Sequence, residues 1–445
     1  MPFMLRRSKI IGNPVAQMLR KLHLHHVGPA KDLELSPIAE RVNLITGDNG
    51  LGKSFLLESA WWALTRTWHD APAVPCAPGA WIDFEFDSMT TVHQGRSKWR
   101  PKAQSWQRSA GRPPNPGLVL YARVDGSYSV WDPARNYRLY RRNDGSEAES
   151  PSAYQFDTRE VLDGLEREVE EGGRRRKQVL CQGLIDDWTR WQASDDPRFR
   201  ALETLLSRIG PDEQPLVPGR PFRPTLDDQR LIPTIRMPYD QDVPITYAPA
   251  GVRRMCKMAY LLTWALSAHR DEVARLGLSS TTQIILLVDE PETHLHPRWQ
   301  RSVLPSLLHG VKTWDEVERP EVQMMVTTHS PMILASMEPE FDVERDALWK
   351  LDLDGATVSV ERDTWHKRGD INRWLMSDVF DLGAATSSPA ERILRRAQDL
   401  IARADPDPAE VQDVDRELGR LLPEMDPFIV RWRYYMGPKL EVIQT

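Results

Sequence analysis

The segment Gly47-Asp48-Asn49-Gly50-Leu51-Gly52-Lys53-Ser54 constrains this chain more than any other feature. It fits the pattern GxxxxGK[ST], and its flanks are those the pattern needs: the apolar run RVNLIT before it, the helix-like run KSFLLESAWWAL after it. Glycines at these places let backbone N–H groups curl around phosphate oxygens, and the start of the helix adds a favourable dipole. Lys53 is then suited to the β- and γ-phosphates and Ser54 to a Mg²⁺ shell, with Asn49, Gly50 and Phe55 in the same turn. The expected fold class is α/β.

Two later blocks supply acids and an imidazole. Residues 284–297 read IILLVDEPETHLHP, an apolar strand ending in two carboxylates, which is costly unless those carboxylates are used or paired. Asp289 is the candidate Mg²⁺ ligand, directly or through water, and Glu290 the candidate general base that polarises an attacking water. His294 and His296 form an HxH pair, but no Cys or third His lies nearby at ligand spacing. A role in the loop after the strand is therefore preferred to zinc. Residues 324–331, MMVTTHSP, place His329 at a strand end beside hydroxyls, where an imidazole can donate to a γ-phosphate. Residues 247–254, YAPAGVRR, lead into an apolar-periodic helix expected at 252–269, with Gly251 at its start.

In this order the blocks resemble the ABC-type ATPase head of the RecF, SMC and OLD-like branch, most specifically through DEPETHLHP followed by THSP. The resemblance covers residues 22–64 and 244–354, roughly a third of the chain. It implies ATP and Mg²⁺ as cofactors, a nucleotide loop of Gly47, Gly52, Lys53 and Ser54, a metal-binding Asp289, a catalytic Glu290 and a switch histidine, His329. Residues 293–297 would lie at a dimer interface. Relatives carry a Ser two residues before the signature glycine; Pro249 stands there, with neither hydroxyl nor N–H. The contact across the dimer then falls to the Gly251 N–H and its helix terminus. A glutamine loop is also implied, with Gln94 and Gln182 both open for it. Implied partners are a second copy, in a two-fold head dimer or higher homo-oligomer, and a separate effector protein.

The expected organisation is residues 1–66, the first lobe of the head; 67–244, an inserted mixed region; 245–368, the second lobe; and 369–445, helical. This is a P-loop ABC-ATPase-like head with an inserted mixed α/β region and a helical C-terminal cap. Strand-like pieces at 22–27, 41–46, 81–86, 118–123, 128–131, 284–288 and 322–327 accompany a hairpin turn near 352–355. Helices are expected at 53–64, 180–192, 199–208, 298–308, 370–380, 389–404, 408–422 and 427–436. The 35 prolines argue against long uninterrupted helices. The inserted region has no heptads, which excludes an SMC-type coiled coil. LDLDG at 351–355 reads as a turn rather than a toprim acid pair, and no HNH set is present, so nuclease activity of this chain is not expected. The compact head with a helical C-terminus is similar to ATPase subunits of bacterial anti-phage systems, such as the Septu type and OLD-like defence ATPases.

Between Asp87 and Asp125 there is no acid, while Arg96, Lys98, Arg100, Lys102, Arg108, Arg112 and Arg123 interleave with Trp99 and Trp106. Such a run can bind phosphates and stack on bases, which makes nucleic acid a candidate partner through Arg96, Lys98, Arg100 and Lys102; a solvated or partner-docking loop is the plainer reading. The basic run at 174–177 follows acids at 166–171 and reads as a self-compensating loop. With 58 Lys plus Arg against 64 Asp plus Glu, a uniformly basic nucleic-acid packager is excluded. No apolar window is long enough to cross a membrane, the N-terminal apolar run is too short for a signal peptide, and three scattered cysteines indicate a reducing cytoplasm. The expected function is an ATPase subunit whose nucleotide-dependent dimerisation controls an effector or nucleic acid in anti-phage defence. A RecF-like repair ATPase and a nucleotide-stabilised scaffold that sequesters an effector are the alternatives.

Overall fold

A computed structural model describes residues 18–87, 91–107, 115–136, 152–171, 174–211, 213–281, 283–312, 320–380, 382 and 385–441. The chain divides into two compact units, residues 1–369 and 370–445. In the first, β1 (Leu19–His25), β2 (Asp32–Leu35), β3 (Val42–Thr46) and α1 (Lys53–Thr65) are followed by β4 (Trp81–Asp87), β5 (Val92–Arg100), β6 (Ser105–Trp106), β7 (Leu118–Ala122), β8 (Tyr128–Trp131), α2 (Pro133–Asn136), β9 (Tyr154–Phe156) and α3 (Glu160–Asp163). Then come β10 (Leu165–Glu171), β11 (Arg174–Cys181), α4 (Leu184–Ala193), α5 (Pro197–Ile209), β12 (Val217–Pro218), β13 (Thr234–Arg236), β14 (Asp242–Pro244) and α6 (Ala250–Leu276). The unit ends with β15 (Gln283–Asp289), α7 (Pro297–Gln300), α8 (Val303–Lys312), β16 (Glu321–Thr327), α9 (Pro331–Met337), β17 (Asp346–Asp354) and β18 (Thr357–Asp363).

An eight-stranded sheet in the order β18-β17-β3-β16-β15-β7-β8-β9 carries the site. Its five central strands, β17, β3, β16, β15 and β7, run parallel, so their C-terminal ends form one crest. β3 and β15 are buried along their whole length, which is why neither alternates apolar with polar residues. A second, antiparallel sheet, β2-β1-β4-β5-β6, alternates half-buried and buried residues along β4. α1 lies between the two sheets, with Leu56, Leu57, Ala60 and Trp61 buried in the core they share.

The expected inserted region is therefore not a separate body. Its β7, β8 and β9 complete the parallel sheet, and β4 to β6 complete the antiparallel one. Other expectations also change. Leu180 belongs to β11, and the helix begins only at Leu184, after the Gln182-Gly183 turn. Residues 166–171 and 174–177 form a hairpin in which Lys177 meets Glu166 at 3.0 Å; the charges compensate, but across strands. The helix expected at 298–308 breaks into α7 and α8, because Pro305 cannot donate to the carbonyl four residues back. α6, by contrast, is one helix of 27 residues. It contains no proline; several of the prolines stand at helix starts, such as Pro197, Pro297 and Pro331, where the missing N–H costs nothing.

The C-terminal unit holds α10 (Ile371–Leu375), α11 (Ser388–Ala402), α12 (Pro408–Leu421) and α13 (Pro427–Glu441). Ser387 and Asp407 cap α11 and α12 through their side chains, and Ile393, Leu400, Val414, Leu418 and Trp432 form a core of their own. α10 is shorter than expected. Ser377 takes up the Trp374 carbonyl and receives the Val379 N–H, diverting the backbone from the helical pattern.

Candidate active site at the crest of the parallel sheet

The loop from Gly47 to Gly52 leaves the end of β3 and turns into α1. A Cβ on Gly47, which has φ +144°, would lie 2.5 Å from the Leu351 carbonyl oxygen, so only glycine fits there. Gly52 is the N-cap of α1 with no side chain to cover the free N–H groups of the first turn. Asp48, Asn49 and Gly50 are exposed at the tip. Phe55 contributes its backbone to the turn, while its ring packs on the core beside Gly28.

Lys53 is buried, and its Nζ donates to the Gly47 and Asp48 carbonyls at 2.8 and 2.9 Å. Burial lowers its pKa, opposed by the nearby carboxylates of Glu290 and Asp289. Ser54 Oγ donates to Asp289 Oδ1 at 3.1 Å, and Thr327 Oγ1 donates to the same oxygen. Burial raises the Asp289 pKa, while these two hydroxyls pull it down. The structure thus gathers Lys53 and Ser54 of α1 and Asp289 of β15 at one place.

Glu290 follows with φ +45°, a left-handed conformation unusual for a non-glycine residue. Its N–H is held by the Thr327 carbonyl at 3.1 Å and the Thr327 hydroxyl at 3.2 Å. His329 is half-exposed, and its Nδ1 lies 3.3 Å from Glu290 Oε1 and 3.6 Å from Glu292 Oε1. Glu292 is buried; its Oε1 accepts from the Thr328 hydroxyl at 2.7 Å and the His329 N–H at 2.9 Å. Burial raises its pKa.

Gly251 lies in the first turn of α6, where a Cβ would come within 2.7 Å of the His294 carbonyl oxygen. Pro249 is the N-cap and offers no side-chain hydrogen bond. Beside them opens a groove of about 610 Å³, lined in part by His294, Leu295, Arg298 and Trp299. His296 caps α7 by accepting the Arg298 N–H, and the described residues contain no group of three His, Cys, Asp or Glu suited to a metal. Gln94 lies on β5, bonded to Glu85, and Gln182 follows β11; the crest strands include neither.

Three site residues escaped the sequence reading. Glu292 was visible as the second acid of DEPE. Arg254, on α6, donates to the carbonyls of Val124 at 2.7 Å and of Arg123, Asp289 and Glu290 at 3.2 Å each, tying the helix to the ends of β7 and β15. Its signal was a charge on the buried stripe shared with Met258 and Leu261. Thr327 carried no signal of its own.

The acid-free segment is corrected. Asp83 on β4 faces Arg96 on β5 and pairs with it, and the guanidinium also lies 4.4 Å from the centre of the Trp81 ring. Trp106 is buried and Trp99 packs on it, so these rings serve the core rather than a stacking platform. Arg123 is buried against Glu58 of α1. Lys98, Arg100 and Lys102 are exposed; Arg108 and Arg112 lie outside the described residues.

Fold and site together describe a mixed α/β head in which a GxxxxGK[ST] loop and Asp289 meet at the crest of one sheet, an arrangement similar to that of P-loop ATPases. Residues 189–334 match the AAA ATPase domain family. The chain is 27% identical over 115 residues to the Retron Ec83 probable ATPase of Escherichia coli, covering 26% of this chain and 18% of that protein. It is 36% identical over 56 residues to the Retron Vc95 probable ATPase of Vibrio cholerae serotype O1 biovar El Tor, covering 13% and 9%. These matches thus span less than a fifth of either relative's length. Among solved structures, the SMC head domain from Thermotoga maritima gives a TM-score of 0.38 at 13% identity, over 78% of this chain and 99% of that one. No helix among the described residues is long and apolar enough to cross a membrane.

Proposed function

We propose that this chain binds ATP with Mg²⁺ and hydrolyses it slowly, and that closure of two copies around the nucleotide controls a separate effector in anti-phage defence. One observation carries the reading: Ser54 and Thr327 converge on Asp289 while Lys53 waits behind them on two loop carbonyls. A hydroxyl and a carboxylate 3.1 Å apart are the hard oxygen donors that Mg²⁺ takes alongside phosphate oxygens, so the residues fit the ion. Bound there, Mg²⁺ would neutralise charge developing on the phosphates. Lys53 exchanges its carbonyl partners for phosphate oxygens, and the uncapped N-terminus of α1 faces the same anion. Glu290 accepts a proton from the attacking water, and His329 donates to the γ-phosphate. The defence role is supported by the similarity to the two retron proteins, together with the motif resemblance.

Asp48, Asn49 and Gly50 are exposed at the loop tip, and the Gly251 end of α6 in a second copy is the surface suited to cover them. The test is turnover and sedimentation of the full chain. Wild type should hydrolyse ATP, and Glu290→Gln should dimerise when ATP and Mg²⁺ are added. A monomer under both conditions would rule out closure; absence of wild-type turnover would rule out hydrolysis.

A further inference from the structure

Glu292 is only 5% exposed, yet it presents a carboxylate where packing asks for a simple acceptor. One oxygen, Oε1, serves the Thr328 hydroxyl and the His329 N–H. The other, Oε2, is buried and has no hydrogen-bond partner among the described residues. An amide would satisfy both donors without the cost of a buried charge, so the hydrogen bonds to Thr328 and His329 do not account for the acid. What an acid adds is its attraction for the ring beside it: His329 Nδ1 stands 3.6 Å from Glu292 Oε1 and 3.3 Å from Glu290 Oε1. A ring nitrogen between two carboxylates is favourable only when it carries hydrogen. The other nitrogen, Nε2, makes no hydrogen bond among the described residues, and the ring is 47% exposed.

We infer that Glu292 is a positioning residue: with Glu290 it holds the His329 ring with Nδ1–H toward the carboxylates, so that the Nε2–H is the donor aimed at the phosphate end of the nucleotide. Glu290 then shares the ring with Glu292 instead of holding it alone, and its other oxygen, Oε2, accepts from the Thr293 hydroxyl at 3.3 Å. This rests on the roles given above to Glu290 and His329. Glu292 reaches its position because Pro291 and the left-handed Glu290 turn the chain back under the end of β16, where Thr328 locks the carboxylate.

The test has two readouts on the full chain. With histidines labelled by nitrogen-15, the His329 resonances, assigned by their loss in His329→Gln, should report hydrogen on both ring nitrogens in wild type. In Glu292→Gln the Nδ1 signal should move toward that of an unprotonated nitrogen; an unchanged signal overturns the inference. In steady-state turnover, Glu292→Gln should lose about tenfold in kcat with KM within about twofold. The same change on a His329→Gln background should cost nothing further, because one residue acts through the other. Losses that multiply would place Glu292 outside this arrangement. Should Glu292→Gln fail to fold by circular dichroism, Thr328→Val, which frees the carboxylate, is expected to shift the His329 signal in the same direction, and no shift there overturns the inference. If wild type does not hydrolyse ATP at all, the hydrolysis reading fails by itself and the nitrogen-15 spectra still decide the role of Glu292.

Discussion

On the antiparallel sheet, Asp83 faces Arg96 across β4 and β5, Glu85 receives Gln94, and Lys21 reaches Glu34 on the neighbouring strand at 2.6 Å. At the crest of the parallel sheet, Asp289, Glu290 and Glu292 stand within four positions of one another. The cation nearest in role, Lys53, is engaged with backbone carbonyls instead of with them. The same side-chain types are therefore neutralised in one place and held in reserve in the other. Exposed cross-strand pairs give up little when broken, whereas partly buried charges without matched partners carry a standing penalty that a ligand can relieve. The difference separates a solvated face from a site.

The sharpest way to test that contrast is to remove the reserved cation. Lys53→Ala should abolish ATP binding, a loss of at least about a hundredfold measurable by calorimetry. Binding within a few fold of wild type would show that the crest cation is not held for phosphate. Next comes Glu290→Gln, expected to retain ATP affinity and lose a factor of about 10² in turnover. Parental turnover in that variant would remove Glu290 from the chemistry.

A smaller effect is expected at Lys257, whose Nζ donates to the Thr158 carbonyl at 2.7 Å and whose pKa burial depresses to about 8. Below pH 8 the folded protein holds a charge it disfavours. The unfolded chain holds that proton up to about pH 10.4, so the penalty is present at pH 7 and fades as pH rises between these values. Lys257→Met should therefore stabilise the fold at pH 7, by about 1 to 3 kcal/mol, and lose that advantage near pH 10. Thermal melts at both pH values check it; an advantage that grows with pH has the wrong sign for a desolvated ammonium. Smallest of all, Asp83→Asn should leave the melting temperature and turnover unresolved from wild type, because its arginine partner is exposed. A large loss there would erase the distinction between the two sheets.

The crest was legible in the sequence because its chemistry is written in contiguous runs. An apolar strand, then a glycine loop, then Lys-Ser is local information, and so is an apolar strand ending in Asp-Glu. What could not be read depended on partners distant in the chain. Arg96 looked unpaired because its acid lies in the preceding strand, and Trp99 and Trp106 looked like a surface platform until β5 and β6 brought them together. Thr327 gained its place only when β16 was set beside β15, which pairs Asp289 with Thr327 in register. That β7 of the inserted region joins the parallel sheet was unreadable for the same reason, since nothing local says that Leu118–Ala122 lies parallel to Ile284–Val288.

α6 has a mechanical consequence. Arg254 clasps the ends of two strands near the start of the helix, and the remaining residues to Leu276 extend about 33 Å beyond it. The helix is held along that length too, with the Tyr260 hydroxyl donating to Asp187 at 2.7 Å and the His269 ring 2.7 Å from Asp132, so a push at its start is transmitted and not absorbed by bending. Whatever seats against Gly251 therefore acts on one end of a strut whose other contacts reach Asp132, just beyond β8.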